Sequence, residues 1–335
     1  MRLDSNRFGC FGKLPVSREF LVDGAGELAR SGFDDWMAEG LGLAKMNAGN
    51  ERFRSLALGF SPIRFVWSMP EGTRAAAGVL VPSEDGAGRI HPFSVFAWID
   101  RAESAPDDPT HPLFVRAVHD YLDRLLAECR AATDPAAVLQ VVRTATLDFE
   151  RSAHDEYAAF IRTRSLDALF RELDASLQVP GLVGSLREQL VQALHESVSY
   201  LRGRPPIDIR LGIRCPLAPS FGATHQVCVW IDLIRRMFGS AVPGPCSFWP
   251  HPGLADSPGG TRPPALTPGS FHFFFSRPSS AQWISLFDPD ASLETISAIE
   301  QPYAGDPGDR MAPALRTIMR TPTATLSDLL ERARG

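Results

Sequence analysis

Residues 63–100 read IRFVWSMPEGTRAAAGVLVPSEDGAGRIHPFSVFAWID, and three apolar runs separated by turn signals are written into that stretch. Pro70-Glu71-Gly72 parts Ile63–Met69 from Ala75–Val81, and the turn-rich Pro82-Ser-Glu-Asp-Gly-Ala-Gly88 joins the latter to the aromatic and β-branched Ile90–Ile99. Proline and glycine at the breaks, with β-branched and aromatic residues between them, predict sequential antiparallel strands. The apolar run Ser55–Phe60 is taken as a preceding strand and Phe8–Leu14 as an N-terminal one. Between those two, Gly26–Asn47 places Leu28, Phe33, Trp36, Met37, Leu41 and Ala44 at three- and four-residue spacing, which makes one helical face that should cover one side of the sheet.

Outward from this block the pattern changes. Arg101–Pro112 (RAESAPDDPTHP) is polar with three prolines and forms the first boundary. Beyond it, Phe114, Val118, Tyr121, Leu122, Leu125 and Cys129 make one helical stripe, Ser165–Leu177 a second, and Leu182, Leu186, Leu190, Val191, Leu194, Val198 and Leu201 a third. Strand character returns at Ile207–Ile213 and Phe271–Phe275. His225–Phe238 reads as a helix, Ser279 with Gln282 offers a capping box for Ala281–Phe287, and Thr325 or Ser327 caps Leu326–Arg332. The proline-rich 243–268 is taken as a loop. The regions are therefore 1–105 (α/β), 106–202 (helical) and 203–335 (α/β, packed on the same body). The expected fold is α/β, a central, mainly antiparallel sheet flanked by helices, which the C-terminal strands join because they have too few neighbours for a sheet of their own.

Composition excludes several classes. The chain has 335 residues, 44% of them hydrophobic, which suits a globular protein. A formal charge of −5 offers no basic platform for nucleic acid. Neither an apolar signal segment nor a run of about 18 apolar residues for membrane insertion is found, so a cytoplasmic address is expected. Five scattered cysteines have no C-x-x-C pair, so neither a disulfide framework nor a zinc site is indicated. Cys246 with His251, and His154-Asp155-Glu156, are too few ligands for a metal centre and read as structural or solvent-facing. Hydrolase, zinc-protease, P-loop and dinucleotide fingerprints are all missing; no cofactor is implied.

Two stretches remain chemically distinctive. Gly9-Cys-Phe-Gly-Lys-Leu-Pro15 sets Lys13, one of only two lysines beside 32 arginines, between residues that bend and end a strand. In Pro82–Arg89, Asp85-Gly86 favours a tight turn across which Asp85 and Arg89 can pair, as an exposed ion pair worth about 1 kcal/mol or less.

These stretches carry a family resemblance. Gly9–Phe20 (GCFGKLPVSREF) resembles the opening G-[FY]-[FY]-G-K-L-P…[DE]-F signature of the type VI secretion-associated TagF family, also called ImpM. Trp36 is similar to that family's first-helix tryptophan, and Gly78–Phe93 (GVLVPSEDGAGRIHPF) to its G-V-L-x-P-S-x-D-x-x-G-R-x-[FY]-P-[LF] hairpin. Phe248-Trp249 and Arg277–Phe287 resemble its C-terminal tryptophan strand and closing element. The chain departs at Arg18-Glu19, where the family has Gly-Asp, and at His91, where it has an aromatic ring; no acidic metal-binding motif of the phosphatase sometimes joined to such domains is found.

The resemblance implies a longin-like core and a non-enzymatic cytoplasmic regulator that holds type VI secretion assembly in check after translation, by contact with a forkhead-associated scaffold protein. Lys13, Phe11, Phe20, Ser83, Asp85 and Arg89 are the candidate partner-binding residues. Two alternatives stand beside it: an enzyme whose non-linear site unites Lys13, Asp85 and Arg89, and an adaptor for a small GTPase.

Overall fold

A computed structural model describes residues 1–69, 71, 73–150, 152–177, 185–219, 221–242, 244–251, 269–288, 291, 293–301 and 310–333. Strands β1 (Arg2–Leu3), β2 (Phe8–Gly12) and β3 (Leu21–Asp23) are followed by helices α1 (Gly26–Arg30), α2 (Phe33–Ala48) and α3 (Asn50–Gly59). The meander β4 (Ile63–Ser68), β5 (Arg74–Val81) and β6 (Phe93–Asp100) comes next. Helices α4 (His111–Phe114), α5 (Arg116–Ala131) and α6 (Pro135–Arg143), strand β7 (Leu147–Asp148), and helices α7 (Ala153–Thr163), α8 (Leu166–Leu177) and α9 (Leu186–Leu201) make the middle. Then follow β8 (Gly212–Leu217), α10 (Ala223–Phe238), β9 (Cys246–Pro250), β10 (Gly269–Phe274), β11 (Ile296–Ala298) and helices Pro313–Met319 and Leu326–Arg332.

Among the described residues, nine strands form one sheet in the order β11-β8-β10-β9-β4-β5-β6-β2-β3, antiparallel throughout except for β11 on β8. The expected meander is present: Ile63 pairs with Leu80, and Val81 with Phe93. Strands from both ends of the chain meet where β9 pairs with β4, Phe65 opposite Phe248. Both faces of the centre are buried, so alternation there sorts residues between two cores rather than between core and water. Ala75, Ala77, Val79 and Val81 of β5 and Phe93, Val95, Ala97 and Ile99 of β6 enter the larger core under the middle helices. Ala76, Leu80, Phe96 and Trp98 enter a smaller, aromatic core under α1, α2 and α3. Trp36 of α2 is fully buried there, against Trp67, Phe248 and Trp283 at ring distances of 5.1, 5.3 and 4.7 Å.

Several expectations need correction. The expected strand Ser55–Phe60 is helical as far as Gly59, part of α3, because Phe53 and Ala57 repeat at helical spacing and are the residues it buries; Phe60 ends the helix in an extended conformation. The helix expected over Gly26–Asn47 is two, broken at Gly32, whose φ of +77° a right-handed helix cannot contain. The strand expected at Ile207–Ile213 starts at Gly212 instead; Pro206–Asp208 is a 3₁₀ turn and Ile207 is 64% exposed. Cys246–Pro250 is a strand inside what was expected as loop, while 243 and 252–268 lie outside the described residues, as do Pro70, Gly72 and Leu182. The Ser279–Gln282 and Thr325–Asp328 capping boxes both form.

Candidate functional site

The connection between β5 and β6 folds back over the end of β2, and it does so because Gly12 has no side chain. With φ at +132°, a Cβ on Gly12 would lie 2.1 Å from the Pro92 carbonyl oxygen. That close approach brings Lys13 beneath the turn. Lys13 Nζ donates to Asp85 Oδ2 at 2.7 Å, and Arg89 Nε donates to the same oxygen at 2.7 Å. Oδ1 accepts the backbone N–H groups of Ala87 and Arg89, each at 2.9 Å. Asp85 is thus the organiser of the turn: an Asx-type bond closes the loop from within, and two cations tie it to β2 and to the outside.

The reach back extends to residues 17 and 18. Gly86 N–H donates to the Ser17 carbonyl at 2.9 Å, and Arg89 Nη2 donates to the Arg18 carbonyl. Burial raises the Asp85 pKa, but the hydrogen bonds from Lys13, the two backbone amides and Arg89 outweigh it and hold the carboxyl well below the usual range. The pair expected to be exposed has one exposed member only. Arg89 is 58% exposed, whereas the Asp85 side chain is wholly buried and Lys13 nearly so.

Above the ion cluster stands a ledge of rings. Phe11 stacks on Phe20 at 5.5 Å, His91 meets both edge-on at 5.7 and 4.8 Å, and Lys13 Nζ lies 4.8 Å from the Phe20 centroid. His91 therefore occupies the aromatic place of the hairpin motif. Burial lowers its pKa to about 4, with Lys13 acting in the same direction against the bond from Nδ1 to the Pro92 carbonyl. Phe20 keeps 45% of its surface exposed although three neighbours fix its ring, and Val22, 46% exposed, follows on edge strand β3. A large apolar side chain held still in water fits the description of an interface anchor.

Five of the six candidate residues, Lys13, Phe11, Phe20, Asp85 and Arg89, come together here. Ser83 does not. It lines a neighbouring cleft of about 330 Å³ with Leu14, Pro15, Val16, Leu58, Pro82, Glu84, Cys129 and Arg130. A second cleft, of about 460 Å³, lies on the other side of the turn, among Leu41, Gly42, Lys45, Asn50, Phe53, Arg54, Gly88, Arg89 and Ile90. Neither includes Lys13 or Asp85. The contribution of α2 and α3 to this region was not read from the sequence; the one available signal was that the second lysine of the chain, Lys45, stands there. Of the residues weighed as metal ligands, Cys246 is buried in β9 and His251 Nε2 lies 2.5 Å from Asp123 Oδ2. Among the described residues no group of three or more side chains is placed to hold a metal ion.

Trp36 is core rather than surface, and its Nε1–H donates to the Ser279 carbonyl at 3.0 Å. This bond joins the first-helix motif to the closing element 243 residues away in sequence, and Trp283 of that element packs on the same ring.

Residues 9–144 match the TagF N-terminal domain, type VI secretion system-associated. No curated protein matches the chain. Among solved structures, the crystal structure of PA0076 from Pseudomonas aeruginosa PAO1 is similar with a TM-score of 0.43 and 14% identity, over 89% of this chain and 99% of that one; at that level it carries no argument. The β2 segment with Lys13, helix α2 with Trp36 and the Asp85 hairpin all fall inside the matched residues. Residues 9–144 of this chain are thus identified as a TagF N-terminal domain, type VI secretion system-associated.

Proposed function

We propose that the chain acts by binding a protein partner, without turnover, and through that contact restrains type VI secretion assembly after translation, in the cytoplasm and against a forkhead-associated scaffold protein. The observation that carries this reading is the division of labour at the hairpin. Asp85 meets four donors of its own chain and is left no role as a free base, while Phe20 is immobilised yet half in water. The ions shape the turn, and the ring is offered outward. The enzyme alternative draws no support from this arrangement, because the clefts on either side contain neither Lys13 nor Asp85. No helix among the described residues is long and apolar enough to cross a membrane.

Overproduction in a bacterium with an active type VI system tests the reading. Effector release is expected to fall with component levels unchanged, and Phe20→Ala, which removes the ring that Phe11, His91 and Lys13 hold at the surface, is expected to restore most of it. Unaltered release on overproduction, or hydrolysis of phosphate or acyl esters by the purified chain, contradicts the proposal.

A further inference from the structure

The cleft between α2, α3 and the hairpin turn has an asymmetry of charge. Three cations, Lys45, Arg54 and Arg89, stand among its lining residues, and no carboxylate does. Arg54 is paired with Glu84 at 2.8 Å, a partly exposed carboxylate beside the cleft, and Arg89 with the buried Asp85. Lys45 is exposed and has no acidic partner among the described residues. Each guanidinium uses only part of its five N–H donors on these partners, so both retain donors for a second acceptor. The whole chain carries −5, which makes a cation-lined cleft a local reversal of the general field.

The floor is apolar. Leu41 and Phe53 are 7% exposed and Ile90 is half-buried. Beside the cleft on α2, Met46 is 78% and Leu43 36% exposed, two more of the few large apolar side chains left in water among the described residues. Gly42 and Gly88 have open space where a Cβ would stand, which leaves backbone accessible at two walls. Helix α3 starts at this place with no side chain capping its first amides, but Glu51 in its first turn and the C-terminal end of α2 at Gly49 offset its dipole, so the positive character of the cleft is that of the three side chains.

We infer that this cleft receives an acidic segment of the protein partner, in which carboxylates flank an apolar side chain. The apolar group enters between Leu41, Phe53 and Ile90, and the carboxylates reach Lys45 on one side and Arg54 and Arg89 on the other. A free phosphate would need cations converging on one point, whereas these are spread over two helices and a turn around an apolar floor. Arg89 belongs to both surfaces, so the segment would continue onto the Phe20 ledge. The inference rests on the partner-binding reading above and adds the chemistry of the partner.

The test has two arms. In the first, the full chain is titrated with a fluorescein-labelled Glu-Leu-Glu-Phe-Glu peptide and with its Lys-Leu-Lys-Phe-Lys counterpart, read by fluorescence anisotropy at low and high salt. Binding of the acidic peptide alone, weakened at least tenfold by Lys45→Glu, kept by Lys45→Arg and diminished by salt, is the expected result. Failure to bind, equal binding of both peptides, indifference to Lys45→Glu, or displacement of the peptide by inorganic phosphate at matched ionic strength overturns the inference. In the second arm, the complex with the scaffold partner is treated with a carbodiimide, which joins a lysine amine to a contacting carboxylate with loss of water. Because Lys13 is buried under Asp85, Lys45 is the lysine expected in a cross-link; a complex that forms and gives none overturns the inference. Acidic-peptide binding without any scaffold complex sustains it and contradicts the choice of partner instead.

Discussion

Asp85 shows how one side chain can set a site without being its working surface. Its carboxylate gathers two backbone amides, a lysine and an arginine, and of the two cations only Arg89 reaches water. Removing it leaves Lys13 as a buried cation without its partner and two amides without acceptors, which is the costly kind of loss. Asp85→Ala is therefore expected to lower the melting temperature far more than Asp4→Ala, which breaks the exposed Arg2–Asp4 pair, and Lys13→Ala combined with Asp85→Ala should cost less than the sum of the two. Equal effects of Asp85→Ala and Asp4→Ala would show that the turn holds without its centre. From the sequence, Asp85 and Arg89 read as a surface pair because they are four residues apart; that Lys13 closes the cluster from 72 residues away is a fact of the β2–β6 register, which local spacing cannot express.

At the scale of elements, the strands of 63–100 were legible because β-branched and aromatic runs meet proline and glycine breaks. The readings that failed did so for physical reasons. Leu56-Ala-Leu58 looks like a strand in isolation, yet α3 buries Phe53 and Ala57 and sends its charges outward, so period decides and local apolarity does not. In β8, Pro216 hides an interior strand. It is tolerated because β11 pairs only with Gly212–Arg214, which leaves the missing N–H of Pro216 beyond the end of that neighbour. The ledge, too, was legible only in part: Phe11 and Phe20 follow from the motif, but the clefts beside them depend on how α2 and α3 lie over the sheet. Trp36→Ala tests that cover. Truncating a fully buried tryptophan at the junction of two motif regions is expected to cost roughly 3–5 kcal/mol, measured by urea unfolding. A cost below about 1 kcal/mol would mean that α2 is held by other contacts.

The whole molecule carries a pH signature. Burial lowers His91 and His111 to about 4, and His119 and His272 to about 3, so all four are neutral in the folded chain near neutrality. An unfolded histidine takes up its proton near pH 6.5. Their contribution is thus complete above pH 6.5 and is lost as pH falls toward 4, at about 1.4 kcal/mol per pH unit for each histidine that remains unprotonated. Asp85, with its lowered value, runs in the same direction but loses its contribution only below about pH 4. Thermal unfolding should therefore show a much steeper fall in melting temperature from pH 6.5 to 5 than from 8 to 6.5, and a flat profile through that window would contradict the burial of these rings.

The central claim is that this chain, with its TagF N-terminal domain over residues 9–144, works by contact through the ledge over the Asp85 turn. The most direct measurement is the affinity of the full chain for the forkhead-associated scaffold by isothermal titration calorimetry, for the unaltered protein and for Phe20→Ala, with melting temperatures recorded for both. The account predicts binding that weakens at least tenfold on substitution while the melting temperature stays within a few degrees; affinity unchanged by the loss of Phe20, or no binding by the unaltered protein, would contradict it.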